Sequence, residues 1–152
     1  MVATTTTSLS LKGRALRLLS SREHSRAELV RRLAQFEEEP GALAKVLDEL
    51  QAKGFINEQR VIESVLNRRS AKLGTARIRQ ELQGKGLAPE AVLNAVEQLR
   101  TTELDRAREV WRKKFGEPAT DATERGKQMR FLASRGFGGD AIRKVVSDGG
   151  DD

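Results

Sequence analysis

Apolar residues recur along this chain in steps of three and four. Leu16–Leu19, Leu29–Leu33, Leu43–Val46–Leu47–Leu50, Ile62–Val65–Leu66 and Ile78–Leu82 all follow that rule, which lines one face of an α-helix; a strand would need strict alternation. No credible strand pair is visible. The breaks between apolar runs carry helix-boundary chemistry. Ser25 with Glu28 three residues on forms a capping box. Gly54, Gly86 and Gly136 each sit just past a periodic run, where a left-handed residue commonly closes a helix, and Pro40 and Pro89 suit first-turn positions. The pattern predicts helices over 11–21, 25–36, 41–53, 57–72, 75–85, 89–100, 102–115, 122–135 and 138–147.

These helices fall into three imperfect copies of one unit. A shift of 49 places Leu29 on Ile78, Leu33 on Leu82, Pro40 on Pro89, Leu43 on Val92, Leu47 on Val96 and Leu50 on Leu99. A further shift of 50 places Leu82 on Leu132, Gly86 on Gly136, Leu87 on Phe137, Ala91 on Ala141, Val92 on Ile142 and Val96 on Val146. A unit of this size buries too little surface to be robust alone, and docking copies end to end adds interface stabilisation. The expected fold class is all-α, with three tandem three-helix repeats at 11–56, 57–101 and 102–147 in an elongated, curved, solenoid-like array. Residues 1–10 read as a disordered Thr/Ser leader and 148–152 as a disordered acidic tail. Phe36, Phe55, Phe115, Phe131, Phe137 and Trp111 are expected in the small cores and seams. Units that bury one another make a monomer the default.

The chemistry of composition excludes more than it suggests. There are no cysteines, which removes disulfides and thiolate metal sites and suits a reducing cytosol. No apolar run approaches the ~20 residues of a membrane span, and the first ten residues lack the basic and apolar regions of a secretory signal. The single histidine, His24, lies between two predicted helices and reads as an exposed loop residue. Neither a Ser-His-Asp set nor a metal-ligand cluster can be assembled around it, and no phosphate loop of the GxxxxGK[ST] type is present. An enzyme is therefore not expected, and no cofactor.

Charge points elsewhere. Lys and Arg number 28 against 22 Asp and Glu, a net charge of +6, which favours polyanionic partners. Residues 58–85 hold seven basic side chains (Arg60, Arg68, Arg69, Lys72, Arg77, Arg79, Lys85) against three acidic ones. Residues 112–135 also hold seven (Arg112, Lys113, Lys114, Arg125, Lys127, Arg130, Arg135) against three. The repeat alignment sets Arg77 on Lys127 and Lys85 on Arg135, whereas the first copy has Glu28 and Phe36 there. The copies share a core but not a face, and identical stacking would run the cations of copies two and three as a stripe. Arg69 falls on the apolar stripe of its helix, where it either snorkels to water or meets a partner. No aromatic residues interleave with these stretches, so phosphate or carboxylate contact is expected rather than base stacking. The candidate binding residues are Arg68, Arg69, Lys72, Arg77, Arg79, Lys85, Arg112, Lys113, Lys114, Arg125, Lys127, Arg130 and Arg135.

Four segments in order carry a family resemblance: ALRLLSSREHSRAEL at 15–29, Gly54-Phe55-Ile56-Asn57-Glu58-Gln59-Arg60, IRQELQGKGL at 78–87, and KQMRFLASRGF at 127–137. Together they resemble the bacterial regulatory protein RecX family over about residues 11–147. One departure is Val61, where the family commonly has an aromatic residue after the motif's Arg. The resemblance implies a non-enzymatic modulator that binds RecA and its single-stranded DNA filament and inhibits strand exchange and ATP hydrolysis, with bearing on DNA repair, recombination and the SOS response. It also implies contact with single-stranded and double-stranded DNA without sequence preference, a cytoplasmic setting, and no membrane. Two alternatives stand beside it. Residues 25–57, with ALAKVLDELQAKGFI, also resemble the helices that lead to a wing, as in a sequence-specific helix-turn-helix transcriptional regulator. The second is a plain protein–protein adaptor whose charge only keeps it soluble.

Overall fold

The computed structural model describes residues 9–149; of the leader (1–10) and tail (148–152) assigned above, residues 1–8 and 150–152 lie outside them, whereas Leu9, Ser10, Asp148 and Gly149 are described. Among the described residues there are eight α-helices, one 3-10 turn and no strand. They are α1 (Leu11–Ser21), α2 (Arg26–Leu33), α3 (Ala42–Ala52), α4 (Glu58–Arg69), α5 (Thr75–Gly84), α6 (Pro89–Lys114), α7 (Ala122–Ser134) and α8 (Gly139–Asp148), with the 3-10 turn Ala34–Phe36 after α2. Capping sets most of the starts. Ser10 accepts from the Gly13 N–H at 3.0 Å, so this residue caps α1. Ser25 and Glu28 form the predicted reciprocal box, at 3.1 and 2.9 Å. Asn57 and Asp121 cap α4 and α7 in the same way, at 2.9 and 2.8 Å. Pro89 opens α6 as expected, but Pro40 lies before α3, whose N-cap is Gly41 at φ +88°. Asp148, placed in the tail by the sequence reading, is the last residue of α8.

The chain forms two compact units that divide inside α4, between Val61 and Ile62. In the first, α1, α2 and α3 enclose a core of Ala15, Leu29, Leu33, Leu43, Leu47, Leu50 and Ile56. Leu29, Leu33, Leu43, Leu47 and Leu50 are the positions whose spacing marked the first repeat; Ala15 and Ile56 complete the core. Phe36 and Phe55 are not part of it. Both are exposed, because each falls in a turn rather than on a helix stripe, and the Phe36 ring instead lies 3.7 Å beneath the Arg14 guanidinium. His24 is the opposite case, being only 1% exposed. Its Nδ1 is 3.0 Å from the Arg22 carbonyl oxygen, which can only accept, so that nitrogen carries the proton of the neutral ring.

The second unit holds copy three and copy two from Ile62 onward. Val65, Ile78, Leu82, Val92, Val96 and Leu99 are buried in copy two, and Ala107, Trp111, Leu132, Phe137, Ile142, Val145 and Val146 form the core of copy three. The two predicted helices at 89–100 and 102–115 are one 26-residue helix, α6. Thr101, the one residue left between the two predicted helices, and Thr102 after it do not compete with the helix. Their hydroxyls bond back to the Gln98 and Leu99 carbonyls at 2.7 and 3.3 Å, an arrangement helices tolerate.

A second joint ties the α7–α8 corner to the start of α5. Gly74 N–H donates to the Arg135 carbonyl at 2.7 Å and Ala76 N–H to the Gly136 carbonyl at 3.2 Å. A Cβ on Gly74 would lie 2.3 Å from the Gly136 and Phe137 backbone, so only glycine fits this approach. Gly136 itself is at φ +93°, and a Cβ there would meet Arg77 at 2.3 Å.

Candidate nucleic-acid interface

The candidate site grows from the end of α6. Its last turn carries Arg112, Lys113 and Lys114, cations that the negative end of the helix dipole favours. The helix end is held by Trp111, which is 2% exposed. Trp111 Nε1–H donates to Gln128 Oε1 at 2.9 Å, and Gln128 Nε2 donates to the Glu117 carbonyl at 3.1 Å. That satisfied buried pair locks α7 and the 115–121 connection against α6. Beyond it the Phe115 and Phe131 rings meet edge to face, 5.5 Å apart at 87°. Two cations sit over the half-buried Phe131 ring: the Arg135 guanidinium at 4.8 Å and Lys114 Nζ at 5.3 Å. Such contacts contribute about 0.5–1 kcal/mol at exposed sites, which orients the side chains without neutralising them.

Lys72 completes the set from the turn between α4 and α5. Lys72 N–H and Leu73 N–H both donate to the Arg69 carbonyl, at 3.0 and 2.9 Å, closing the turn on itself. Arg106, midway along α6, then clamps it. Its guanidinium donates to the carbonyls of Leu73 (2.6 Å), Ser70 (3.0 Å) and Leu99 (3.0 Å), and to the hydroxyls of Thr102 (3.0 Å) and Thr75 (3.2 Å). Burial lowers the Arg106 pKa from its ordinary value, and the charge of Glu103 opposes that shift. Glu103 in turn accepts from Thr75 N–H at 2.7 Å and Gly138 N–H at 3.3 Å. The result is a recess of 310 Å³ with an apolar floor of Val110 and Phe131 and a rim of Lys72, Lys113, Lys114 and Arg135. No carboxylate lines it.

The structure thus gathers four of the thirteen sequence-predicted residues and distributes the rest. Arg68 and Arg69 share Glu81, at 3.5 and 3.0 Å; Arg69 reaches the surface from the apolar stripe and pairs there. Arg112 pairs with Glu109 at 2.9 Å. Arg77 Nη1 donates to the Ser134 carbonyl at 2.7 Å, so this residue fastens the α5–α7 joint. Lys85 caps α5, Arg79 lines a separate apolar groove, and Arg125, Lys127 and Arg130 are exposed along α7. Arg106 and Glu103 went unnoticed in the sequence. The available signal was the position of Glu103 four and of Arg106 seven residues after Leu99, on the buried stripe of α6, where a charge needs a polar partner.

A Regulatory protein RecX from Leptothrix cholodnii is 54% identical to this chain over 138 residues, covering 91% of this chain and 88% of the relative. The chain belongs to the RecX family. A Herminiimonas arsenicoxydans RecX is 48% identical over the same 91% of this chain and 91% of its own length. A Pseudomonas syringae RecX is 39% identical across the full length of both. Models of the first and third three-helix domains of RecX match residues 12–50 and 101–146. The crystal structure of RecX from Lactobacillus salivarius superposes with a TM-score of 0.76 over 91% of this chain and 93% of that one, at 18% identity. That last likeness concerns the fold. The RecX three-helix architecture read from the repeats is therefore the observed one, and the family is a family of regulatory proteins.

Proposed function

We propose that this RecX-family protein binds RecA and the filament RecA forms on single-stranded DNA, and restrains its strand exchange and ATP hydrolysis in the cytoplasm. It works by occupancy and has no catalytic chemistry of its own. The observation that carries this reading is the recess on the second unit: four cations around one half-buried phenylalanine, held by an arginine-clamped turn and a locked helix end. The rim matches the spacing-tolerant negative charge of a nucleic-acid backbone, contacts that position a partner without reading its sequence. Phe131, already covered by two cations, serves as their platform. DNA contact without sequence preference, on single or double strands, follows from the same chemistry.

The deciding measurement is a titration of RecA's DNA-dependent ATPase with this protein, run beside a pull-down with and without single-stranded DNA. The expected outcome is suppression at or below stoichiometric amounts, together with retention of RecA. A folded protein that leaves the ATPase of its own RecA unchanged would refute the proposal.

A further inference from the structure

On the second unit, α5 and the first half of α6 leave a groove of 520 Å³. Its walls include Leu87, Val92, Leu93 and Val96, with Arg79 and Arg100 at its borders. Leu93 is 60% exposed, the most exposed large apolar side chain among the described residues. The fold does not require it. The repeat alignment puts Ala44 of α3 and Arg143 of α8 at the same position, and the Arg143 side chain is 63% exposed there. Position 93 therefore stays open in this architecture whatever side chain it bears, and only the second copy fills it with a large apolar one. Single exposed leucines are ordinary on protein surfaces, but this one stands at an apolar groove flanked by two guanidiniums.

The chemistry of the groove is unlike that of the cationic recess. No aromatic ring lines it, so it offers bases nothing to stack on, and it sets two cations at its borders where the recess has four. Arg79 and Arg100 are exposed, and Arg100 pairs with Glu97 at 3.6 Å, both side chains being more than 60% exposed. Such a surface pair contributes little and is readily exchanged for a partner's carboxylate. An apolar floor with an arginine rim is the usual anatomy of a protein–protein anchor pocket.

We infer that this groove docks a protein segment presenting an apolar side chain flanked by carboxylates, with Leu93 as the anchor, and that the segment belongs to the recombinase. The inference rests on the RecA reading above. It divides the work between two places on one unit: the groove takes the protein, and the recess around Phe131 takes the nucleic acid.

The test compares the full-length protein with Leu93→Arg, the residue type that the third copy carries at this position, and with Leu93→Ser. Affinity is measured separately for DNA-free RecA and for a single-stranded oligonucleotide, with sedimentation of each variant alone. The expected result is roughly a tenfold or larger loss of affinity for RecA, the scale of a buried interface anchor, with oligonucleotide affinity and melting temperature unchanged. Leu93→Ser carries the comparison if the arginine variant melts early. RecA affinity equal to that of the unaltered protein overturns the inference while leaving the RecA reading intact. An unaltered protein that binds no RecA overturns both. Parallel loss of oligonucleotide binding would assign the groove to nucleic acid, and a dimer that Leu93→Arg dissociates would assign it to a second copy; either outcome overturns the proposal.

Discussion

His24 shows how one residue's environment becomes a pH dependence. Burial, the largest cause, lowers its pKa from the ordinary 6.5, with the Arg22 carbonyl working the other way. A ring that resists protonation when folded and accepts a proton when unfolded makes the unfolded state bind more protons, so stability rises with pH through that window. The His24 contribution is complete above about pH 6.5, the unfolded value, and is lost as pH falls from there towards the folded pKa. Urea unfolding at pH 7.5 and 5.5 should show the loss. His24→Asn, which can still present an N–H to the Arg22 carbonyl, should flatten that part of the profile. An unchanged slope in the variant would mean another group titrates there. The sequence placed this histidine in an exposed loop because it lies between helices. Its burial is a tertiary fact that a local pattern does not contain.

At the scale of elements, the helices were legible wherever an apolar stripe and its caps agreed, as at Ser25–Glu28 and in α3, whose Leu43, Leu47 and Leu50 are all core. The failures share one cause. The break at Thr101, the core positions given to Phe36 and Phe55, and the silence on Arg106 all judged residues by local pattern, whereas their hydrogen-bond partners or turn positions decided their roles. The continuity of α6 matters because that helix carries both the Arg106 clamp and the Lys113–Lys114 end. Proline at Thr101 would remove an internal hydrogen bond and clash with the preceding turn, at a cost of about 3 kcal/mol or more. The exposed Thr101 side chain adds little to that cost, since its hydroxyl bonds within its own helix, to the Gln98 carbonyl. The expected result for Thr101→Pro is a lower melting temperature, together with weaker binding of single-stranded DNA as the Lys72 turn loosens. A variant as stable as the parent would show that the two halves of α6 fold independently.

For the whole molecule, net charge alone does not locate a partner. Residues 1–61 carry ten cations against eight anions and residues 62–152 carry eighteen against fourteen, a difference too small to steer a polyanion to one unit. Local arrangement has to decide, and two arrangements can be set against each other. The repeat alignment singled out Arg77, Lys85, Lys127 and Arg135 as a shared stripe; the structure gathers Lys72, Lys113, Lys114 and Arg135 around Phe131. Only Arg135 belongs to both. Each phosphate neutralised on a single strand contributes about 0.7 to the log–log dependence of affinity on salt. Replacing the four recess residues with alanine should therefore lower that slope by as much as roughly 2–3 and leave the melting temperature near that of the parent, since Lys114 and Arg135 contribute weak cation–π contacts to the Phe131 ring. Alanine at the four stripe positions should do the reverse. The slope should fall less, and stability should suffer, because the Arg77 guanidinium fastens α5 to the Ser134 carbonyl at the end of α7. If instead the stripe variant loses the larger slope and melts normally, the nucleic-acid face follows the repeat symmetry and the recess is only a structural corner.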